Sequence, residues 1–413
     1  MAVRILHPRR PWEGRRVVLG VTGGIAAYKS VQLARDLTRL GARVDVVMTA
    51  GAQEFVRPLS FRGVTGREVH TDLFTGTGPA VHIRLGAEAD VVLVAPATAD
   101  FMARASQGMA DDLLTTLLLV TRAPVLLCPA MNERMYSHPQ TRRNLRHLSR
   151  ELGYILVGPD VGPLAVGEGE GRGRLAEPEE ILEHVGRAVG ADSRWMDREV
   201  LVTAGPTREK LDPIRFLGNR SSGRMGFALA RAAWRRGAKV RLVTGPSMLP
   251  DPAGVETLRV ESAEEMEEAV LARTSQADVL IFAAAVADYR PRDPRARKVK
   301  RSREGGGMEL HLEPTRDIAL ASVEARKPGS VALGFALETE DLKENARRKL
   351  TEKAFQLIAA NSAVEAGAGF DANTNRVTIL DLDGGVEELP VLSKDEVAER
   401  LLDRLSELLP DSS

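Results

Sequence analysis

The sequence is short of sulfur, of aromatic rings and of net charge, and each shortage excludes something. A single cysteine, Cys128, among 413 residues rules out an intramolecular disulfide and any metal site built from several thiolates. Aromatic residues make up 4% of the chain, and 57 basic residues are balanced by 57 acidic ones. The chain therefore offers no field to hold a polyanion and no set of stacking platforms, and no nucleic-acid partner is expected. Long apolar runs are missing as well. The most apolar stretch, Leu113 to Met131, is broken by Arg122, Pro124 and Pro129, whereas a spanning helix needs roughly 20 apolar residues. The opening MAVRILHPRR carries charge with no apolar core behind it, so no signal peptide is expected. The reading is a soluble, cytoplasmic protein with no membrane partner.

What is present is length and rhythm. At roughly 100 to 200 residues per domain, 413 residues imply two domains. Two segments share one plan of strand, glycine turn, amphipathic helix, Gly-Ala and second strand. The first is VVLGVTGG, IAAYKSVQLARDLTRL and GARVDVVMT; Leu33, Leu37 and Leu40 form its helix stripe and Gly41 its left-handed cap. The second starts at Arg198 with EVLVTAGPT and continues through RMGFALARAAWRR to GAKVRLVTG, with Met225, Leu229 and Ala232 as stripe and Gly237 as cap. The echo extends to ADVVLVAPATADF (from Ala89) and ADVLIFAAAVADY (from Ala277), continuous apolar strands of the kind that parallel sheets cover on both faces. The fold class is thus α/β, two doubly wound Rossmann-like domains, divided as residues 1–190 and 191–413. Two loops interrupt the rhythm, the glycine-rich Pro163–Leu175 and the basic Arg290–Gly307, and loops of such length are usually lids or disordered segments.

The first turn, GVTGGIA, lacks the Gly-x-Gly-x-x-Gly fingerprint. The second strands end in Thr49 and Thr244 rather than in the acid that binds a ribose, and no Walker motif occurs. Backbone N–H groups of Gly23, Gly24 and Ile25 at a helix N-terminus suit one phosphate, as in a mononucleotide such as FMN, or the glycines simply permit a tight turn. VHIRL with His82, APATAD, CPAMNERMY and the glycine loop are read as lying where strands end at the carboxyl edge of the sheet.

PAMNERM near residue 130, GPTREKLDPIRFLGNRSSGRMG and AAAVADYRP together resemble the flavin-containing cysteine decarboxylases, in the bifunctional form that fuses phosphopantothenoylcysteine decarboxylase to phosphopantothenate–cysteine ligase. The likeness covers nearly the whole chain in the family's order. It implies that the first domain is flavodoxin-like and uses FMN to decarboxylate phosphopantothenoylcysteine to 4'-phosphopantetheine. The thiol carbon is oxidised to a thioaldehyde that accepts the electrons left by CO2, and the enethiolate is then reduced. His82 matches the active-site histidine and Asn132 the asparagine that binds the carboxylate. Gly23, Gly24, Ile25, Thr49, Ala97 and Thr98 fall where the flavin is held. Met131, Met135, Arg172 and Arg174 fall at the substrate. The chain departs from the family at one point: the clamp reads Ala165, Val166, Gly167 where a cysteine normally gives the final proton. Cys128, Glu168 or solvent could serve instead, or the domain stops at the oxidised enethiol.

For the second domain the resemblance implies CTP-driven ligation of 4'-phosphopantothenate to cysteine through an acyl-cytidylate, with Mg2+ carried by the CTP phosphates and no metal ligands assigned. Asn219 matches the residue that carries the intermediate to the amide, and Lys298 the residue needed to form it. Ser221, Ser222, Asp288, Asp317, Phe335, Lys349 and Lys353 fall at nucleotide or substrate. Only ten of the 57 basic residues are lysines, which sets these apart from an arginine background. The resemblance also implies a homo-oligomer, a dodecamer of flavin-domain trimers and ligase-domain dimers, with some site residues acting across subunits. An active ligase fused to a silent flavin domain, a non-catalytic flavoprotein and a nicotinamide-dependent reductase are the alternatives.

Overall fold

Strands buried on both faces alternate with helices buried on one, and this alternation builds each half of the chain. The structure is a computed structural model that describes residues 11–74, 80–167, 169–300, 308–338, 340–362 and 373–410. Two compact units emerge, one within Arg10–Gly190 and one within Ala191–Ser413.

In the first unit β1 (Arg16–Val21) leads to α1 (Ala27–Arg39), β2 (Arg43–Met48), α2 (Pro58–Thr65) and β3 (Val69–His70). The chain crosses back through α3 (Val81–Glu88) to β4 (Val91–Ala97), α4 (Ala99–Ser106), α5 (Leu113–Val120) and β5 (Val125–Pro129). Then come α6 (Glu133–Ser137), α7 (Pro139–Arg150), β6 (Ile155–Leu156), a hairpin of β7 (Asp160–Pro163) and β8 (Glu170–Arg174), and α8 (Pro178–Gly190). Six parallel strands lie in the order β3-β2-β1-β4-β5-β6. Residues of β1 alternate between cores: Val17, Leu19 and Val21 join the core with α1 and α8, and Val18 joins the one with α4 and α5. Helix α1 buries Ala27, Ser30, Leu33, Ala34 and Leu37, each fully buried leucine contributing about 1.5–3 kcal/mol. Leu40, the C-cap, is half-buried and packs against the same core, and Gly41 follows at φ 93°, a conformation glycine adopts without strain.

The second unit repeats the scheme with β9 (Glu199–Ala204), a hairpin of β10 (Arg208–Lys210) and β11 (Phe216–Gly218), α9 (Arg224–Arg235), β12 (Lys239–Thr244), β13 (Glu256–Arg259), α10 (Ala263–Thr274) and β14 (Val279–Phe282). A hairpin of β15 (Tyr289–Pro291) and β16 (Leu312–Pro314) precedes α11 (Ile318–Ala321), β17 (Val331–Glu338), α12 (Leu342–Glu352) and β18 (Leu357–Ser362). The last elements are β19 (Thr374–Asn375), β20 (Thr378–Asp381), β21 (Val386–Glu388), β22 (Leu392–Ser393) and α13 (Lys394–Leu408). The parallel strands again follow the same order, β13-β12-β9-β14-β17-β18, and β20 and β21 extend the sheet antiparallel. Helix α13 is fastened to α9 by buried ion pairs: Arg235 and Arg236 reach Glu399 at 2.7 and 2.8 Å, and Arg236 also reaches Asp403 at 2.7 Å. Among the described residues no helix is long and apolar enough to cross a membrane.

In both sheets the order reverses beside the first strand, between β1 and β4 and between β9 and β14. Such folds leave a crevice there, beyond the carboxyl ends of the strands.

Candidate functional site

Each unit has a cavity at its crevice. In the first, the strand ends are tied together by Thr22, whose Oγ1 donates to the Pro96 carbonyl at 2.7 Å and accepts from the Thr98 amide at 3.1 Å. Thr98 caps α4 by accepting from the Phe101 amide, and Thr49 caps the turn Ala50–Glu54 by accepting from the Ala52 amide. The turn before α1 needs Gly23, because a Cβ there would stand 2.7 Å from the backbone of Gly51. At Gly24 a Cβ would meet only Thr98 Cγ2, at 3.5 Å, so that glycine is open to the cavity. The Gly24 amide donates to the Thr22 carbonyl, so within this turn it is the amides of Gly23 and Ile25 that remain to serve a ligand. Helix α1 itself has no side-chain cap and no acid in its first turn, so the positive end of its dipole is not offset by an acid of its own, although the Ala27 and Lys29 amides already donate to the Gly24 and Ala26 carbonyls.

The cavity measures about 1030 Å³ and is lined by Gly23, Gly24, Ile25, Thr49, Thr98, Met131, Asn132, Met135 and Arg174, with Tyr28 and Leu164 among others. Asn132 Oδ1 accepts from the Arg134 amide at 2.8 Å as the cap of α6, which leaves Nδ2 as the group it can donate. The β7–β8 hairpin closes over this segment. The Met131 amide donates to the Gly173 carbonyl at 2.9 Å, and a Cβ on Gly173 would collide with the Met131 carbonyl at 2.0 Å. The spaced glycines thus mark a backbone packed against backbone. Arg174 pairs with Glu177.

Several expected residues stand elsewhere. VHIRL is not a strand end: it opens α3, and His82 does not line the cavity. A short apolar run reads equally as strand or helix, and here Leu85 and Gly86 pack a helix into the core. Ala97 is buried, and its carbonyl accepts from the Ala130 amide to join β4 to β5. Arg172 is exposed on β8 and is not part of the lining. Val166 is fully exposed on the hairpin tip. Cys128 is fully buried in the core on the α1 side, where burial and the charge of Glu180 push its thiol up, so it has no access to the cavity. Glu168 lies outside the described residues.

The second cavity, about 490 Å³, gathers Asn219, Ser221, Ser222, Asp288, Asp317, Phe335, Lys349 and Lys353. Its strand ends are stitched as in the first unit, with Thr203 Oγ1 accepting from the Ala284 amide and Thr207 Oγ1 from the Ala287 amide. Asn219 Nδ2 donates to the carbonyls of Ala285 and Val286 at 3.2 and 3.0 Å, fixing the loop before α9 to the end of β14. Helix α9 has Gly223 as its N-cap, with no side-chain cap and no acid in its first turn; the Gly223 amide donates to Ser221 Oγ at 3.3 Å, so Ser221, Ser222 and the positive end of the helix dipole lie together at the cavity. On the opposite wall Lys349 pairs with Glu338 at 2.6 Å and Lys353, the C-cap of α12, with Asp317 at 2.7 Å. Burial would raise the Asp317 carboxyl, but the Lys353 ammonium and the Leu320 amide outweigh it and hold it below the usual value.

Lys298 is exposed and does not line this cavity. Its neighbour Val299 is anchored to Asp212, which also accepts from the Ile214 and Arg215 amides. Residues 301–307 of the basic loop lie outside the described residues. Among the described residues no group of three or more His, Cys, Asp or Glu could hold a metal ion. Three lining residues, Asn361, Asn375 and Lys394, carry no motif. Only the rarity of lysine singles out Lys394.

A family model described as "Flavoprotein" matches residues 6–190, and one described as "DNA/pantothenate metabolism flavoprotein C-terminal domain" matches residues 195–409. The chain is 44% identical over 398 residues to the coenzyme A biosynthesis bifunctional protein CoaBC of Vibrio cholerae, covering 95% of this chain and 98% of that protein. Identity to the protein of the same name from Bacillus subtilis is 44% over 399 residues, covering 95% and 97%. The crystal structure of the C-terminal domain of a coenzyme A biosynthesis bifunctional protein CoaBC is 40% identical, covering 52% of this chain and 98% of that one, with a TM-score of 0.45.

Proposed function

Since the chain belongs to the family of bifunctional coenzyme A biosynthesis proteins, and is thus a ligase and a decarboxylase in one polypeptide, we propose which unit performs which step and with what. Residues 191–413 join 4'-phosphopantothenate to cysteine at the expense of CTP. Residues 1–190 decarboxylate the resulting phosphopantothenoylcysteine to 4'-phosphopantetheine with FMN. The observation that carries this reading is that two sheets of identical strand order each open a cavity at the same crevice. Each cavity receives the uncapped N-terminus of a helix, where a phosphate is favoured.

In the ligase unit the amides of α9 with Ser221 and Ser222 take the nucleotide phosphates, and Mg2+ enters with them, since phosphates and water supply most of the oxygens this ion prefers. Lys349 and Lys353 exchange Glu338 and Asp317 for the charge that develops as pyrophosphate leaves. The acyl-cytidylate forms when the carboxylate of 4'-phosphopantothenate displaces pyrophosphate. The cysteine amine then attacks the acyl carbon, CMP departs and the amine proton passes to solvent. Asn219, pinned to the Ala285–Val286 backbone, holds its loop beside that carbon. Phe335 and Asp288 contact the nucleotide. Lys298 reaches the site from a neighbouring subunit of the dimer.

In the decarboxylase unit FMN fits the residues present: Gly23, Ile25 and the α1 N-terminus for its phosphate, Thr49 and Thr98 beside it. When bound it takes two electrons from the thiol-bearing carbon and returns them after CO2 leaves. Asn132 Nδ2 orients the substrate carboxylate, and because the amide is neutral it does not hold CO2 back by a full charge. Met131 and Met135 pack against the substrate, and Arg174 reaches its phosphate. His82 and Arg172, outside the cavity of their own subunit, serve a neighbouring one in the trimer. With Val166 aprotic and Cys128 sealed in the core, water supplies the final proton at the exposed hairpin tip.

Val166 also favours a second reading, a working ligase joined to a flavin unit that stops at the enethiol. Purified protein given FMN, CTP, 4'-phosphopantothenate and cysteine tests both. The expected result is a yellow protein that releases pyrophosphate and CO2 and yields 4'-phosphopantetheine by mass spectrometry. A product two hydrogens lighter supports the second reading. A colourless protein releasing no pyrophosphate overturns both.

A further inference from the structure

The ligase cavity has a wall to which the preceding mechanism gives no role. Side chains alternate along β17 and β18. Leu333, Leu357 and Ala359 belong to the core under α9 and α13, with Phe335 packed against it, while Ala332, Ala336, Ile358 and Ala360 belong to the core on the opposite face. Leu337 and Asn361, partners in register, therefore fall on the α9–α13 side. They line the cavity together with Met225, Asn375 and Lys394.

One feature of this wall calls for a ligand, and a second fits the charge that ligand would carry. Asn375 is 5% exposed, and its Oδ1 is buried with no hydrogen-bond partner among the described residues. Buried acceptors are almost always paired, so an orphan lining a cavity is matched to a donor that arrives from outside. Lys394 is 9% exposed and is the first residue of the 15-residue helix α13, beside Asp395 and Glu396. A cation there opposes the helix dipole, which favours acids in the first turn; Lys394 already has a partner in the protein, so an arriving carboxylate reaches it by exchange.

We propose that Asn375 and Lys394 form the amino-acid pocket of the ligase, with the amine N–H donating to Asn375 Oδ1 and the carboxylate accepting from Lys394 Nζ. The proposal rests on the ligase reading above. One acceptor beside one cation is the complement of an α-amino acid. A phosphoryl group would suit Lys394 but meet the lone pairs of Asn375 Oδ1, and the nucleotide phosphates have their own receivers at α9, Lys349 and Lys353. The thiol-bearing methylene packs against Met225 and Leu337. The pocket thus holds the amine on the α9 side of the cavity, the side from which Asn219 and Ser221 also project.

The test is steady-state ligation by the full-length protein with each substrate varied in turn. Asn375→Leu keeps the volume and removes the orphan acceptor. It is expected to raise KM for cysteine about ten- to a hundredfold, as for loss of a hydrogen bond to a charged group, while KM for CTP and 4'-phosphopantothenate moves less than twofold. Lys394→Gln is expected to shrink the preference for cysteine over cysteamine, which lacks the carboxylate, by a similar factor. An Asn375→Leu protein whose KM for cysteine is unchanged, or whose KM for CTP or 4'-phosphopantothenate rises instead, overturns the pocket, as does an unchanged cysteamine preference in Lys394→Gln. Wild-type protein that releases no pyrophosphate overturns the ligase reading itself and the pocket with it.

Discussion

The two units share a strand order and a threonine stitch across the crevice, and they differ in what they build around it. In the first, a hairpin with backbone packed on backbone closes a cavity of about 1030 Å³ walled by Ile25, Tyr28, Met131 and Leu164. In the second, a cavity of about 490 Å³ is walled by ion-paired lysines, serines and asparagines. Helix α13 and two antiparallel strands extend that unit behind the site. A large, partly apolar chamber suits a ring system that stays bound. A smaller one with exchangeable ion pairs suits phosphates that come and go, because each paired lysine already has a counter-ion to return to. Under the proposed function the same topology serves retention in one half and turnover in the other, and the walls rather than the sheet make the difference.

That contrast can be broken from either side. The largest effects are expected at the glycines where backbone meets backbone. Gly173→Ala would set a Cβ 2.0 Å from the Met131 carbonyl, and Gly245→Ala one 1.6 Å from the Pro206 carbonyl. Each is expected to cost its own unit more than about a hundredfold in activity, which a displacement of about 1 Å at a reacting group can do. CO2 release should fall in Gly173→Ala and pyrophosphate release in Gly245→Ala, with the other activity kept. Loss of both activities in either variant would show that the units do not work independently.

Next in size is the fastening of α13. Glu399→Ala removes the carboxylate that Arg235 and Arg236 share and leaves Arg236 with Asp403, and breaking a buried pair costs about 3–5 kcal/mol. Thermal unfolding should show the ligase transition lowered and the flavin transition unmoved.

Asp317 sharpens the comparison through pH. Its carboxyl is held below the ordinary value of about 3.9, so it contributes stability that is complete above that value and is lost as pH falls through the folded-state value. Asp317→Asn should therefore lower the stability of the ligase unit at pH 7 and make no difference in strong acid. Urea midpoints measured from pH 7 downward check this, and a gap that stays constant with pH would count against the pairing.

The smallest effect is expected at Cys128. Cys128→Ala, in a fully buried position, should cost about 1 kcal/mol of stability or less in the flavin unit and leave the rate of CO2 release unchanged. A lost rate would return the thiol to the mechanism.

Much of this was legible in the residues. The strands beginning at Arg16, Val91, Glu199 and Val279, the glycines that follow α1 and α9, and the doubled βαβ plan all follow from local periodicity, which a chain expresses wherever it is. Most of the motif residues also converge, each set within its own unit, because PAMN in the first and the serines before α9 and the paired lysines in the second lie at element ends that the topology brings to that unit's crevice. His82 was misplaced because a short apolar run does not say whether it turns as a helix. The roles of Gly23 and Gly173 were invisible because each is set by a backbone far away in sequence.

Length and local pattern determined two α/β units, and the single cysteine determined that no intramolecular disulfide forms, since these depend only on counts and on local pattern. Only the tertiary structure decided that Cys128 is core, that Val166 faces solvent, and that Asn375 and Lys394 meet Phe335 and Met225 across a gap of many residues. The reason is physical: burial and an unpaired acceptor are properties of what surrounds a side chain, and those surroundings come from strand register and helix packing that no single segment contains.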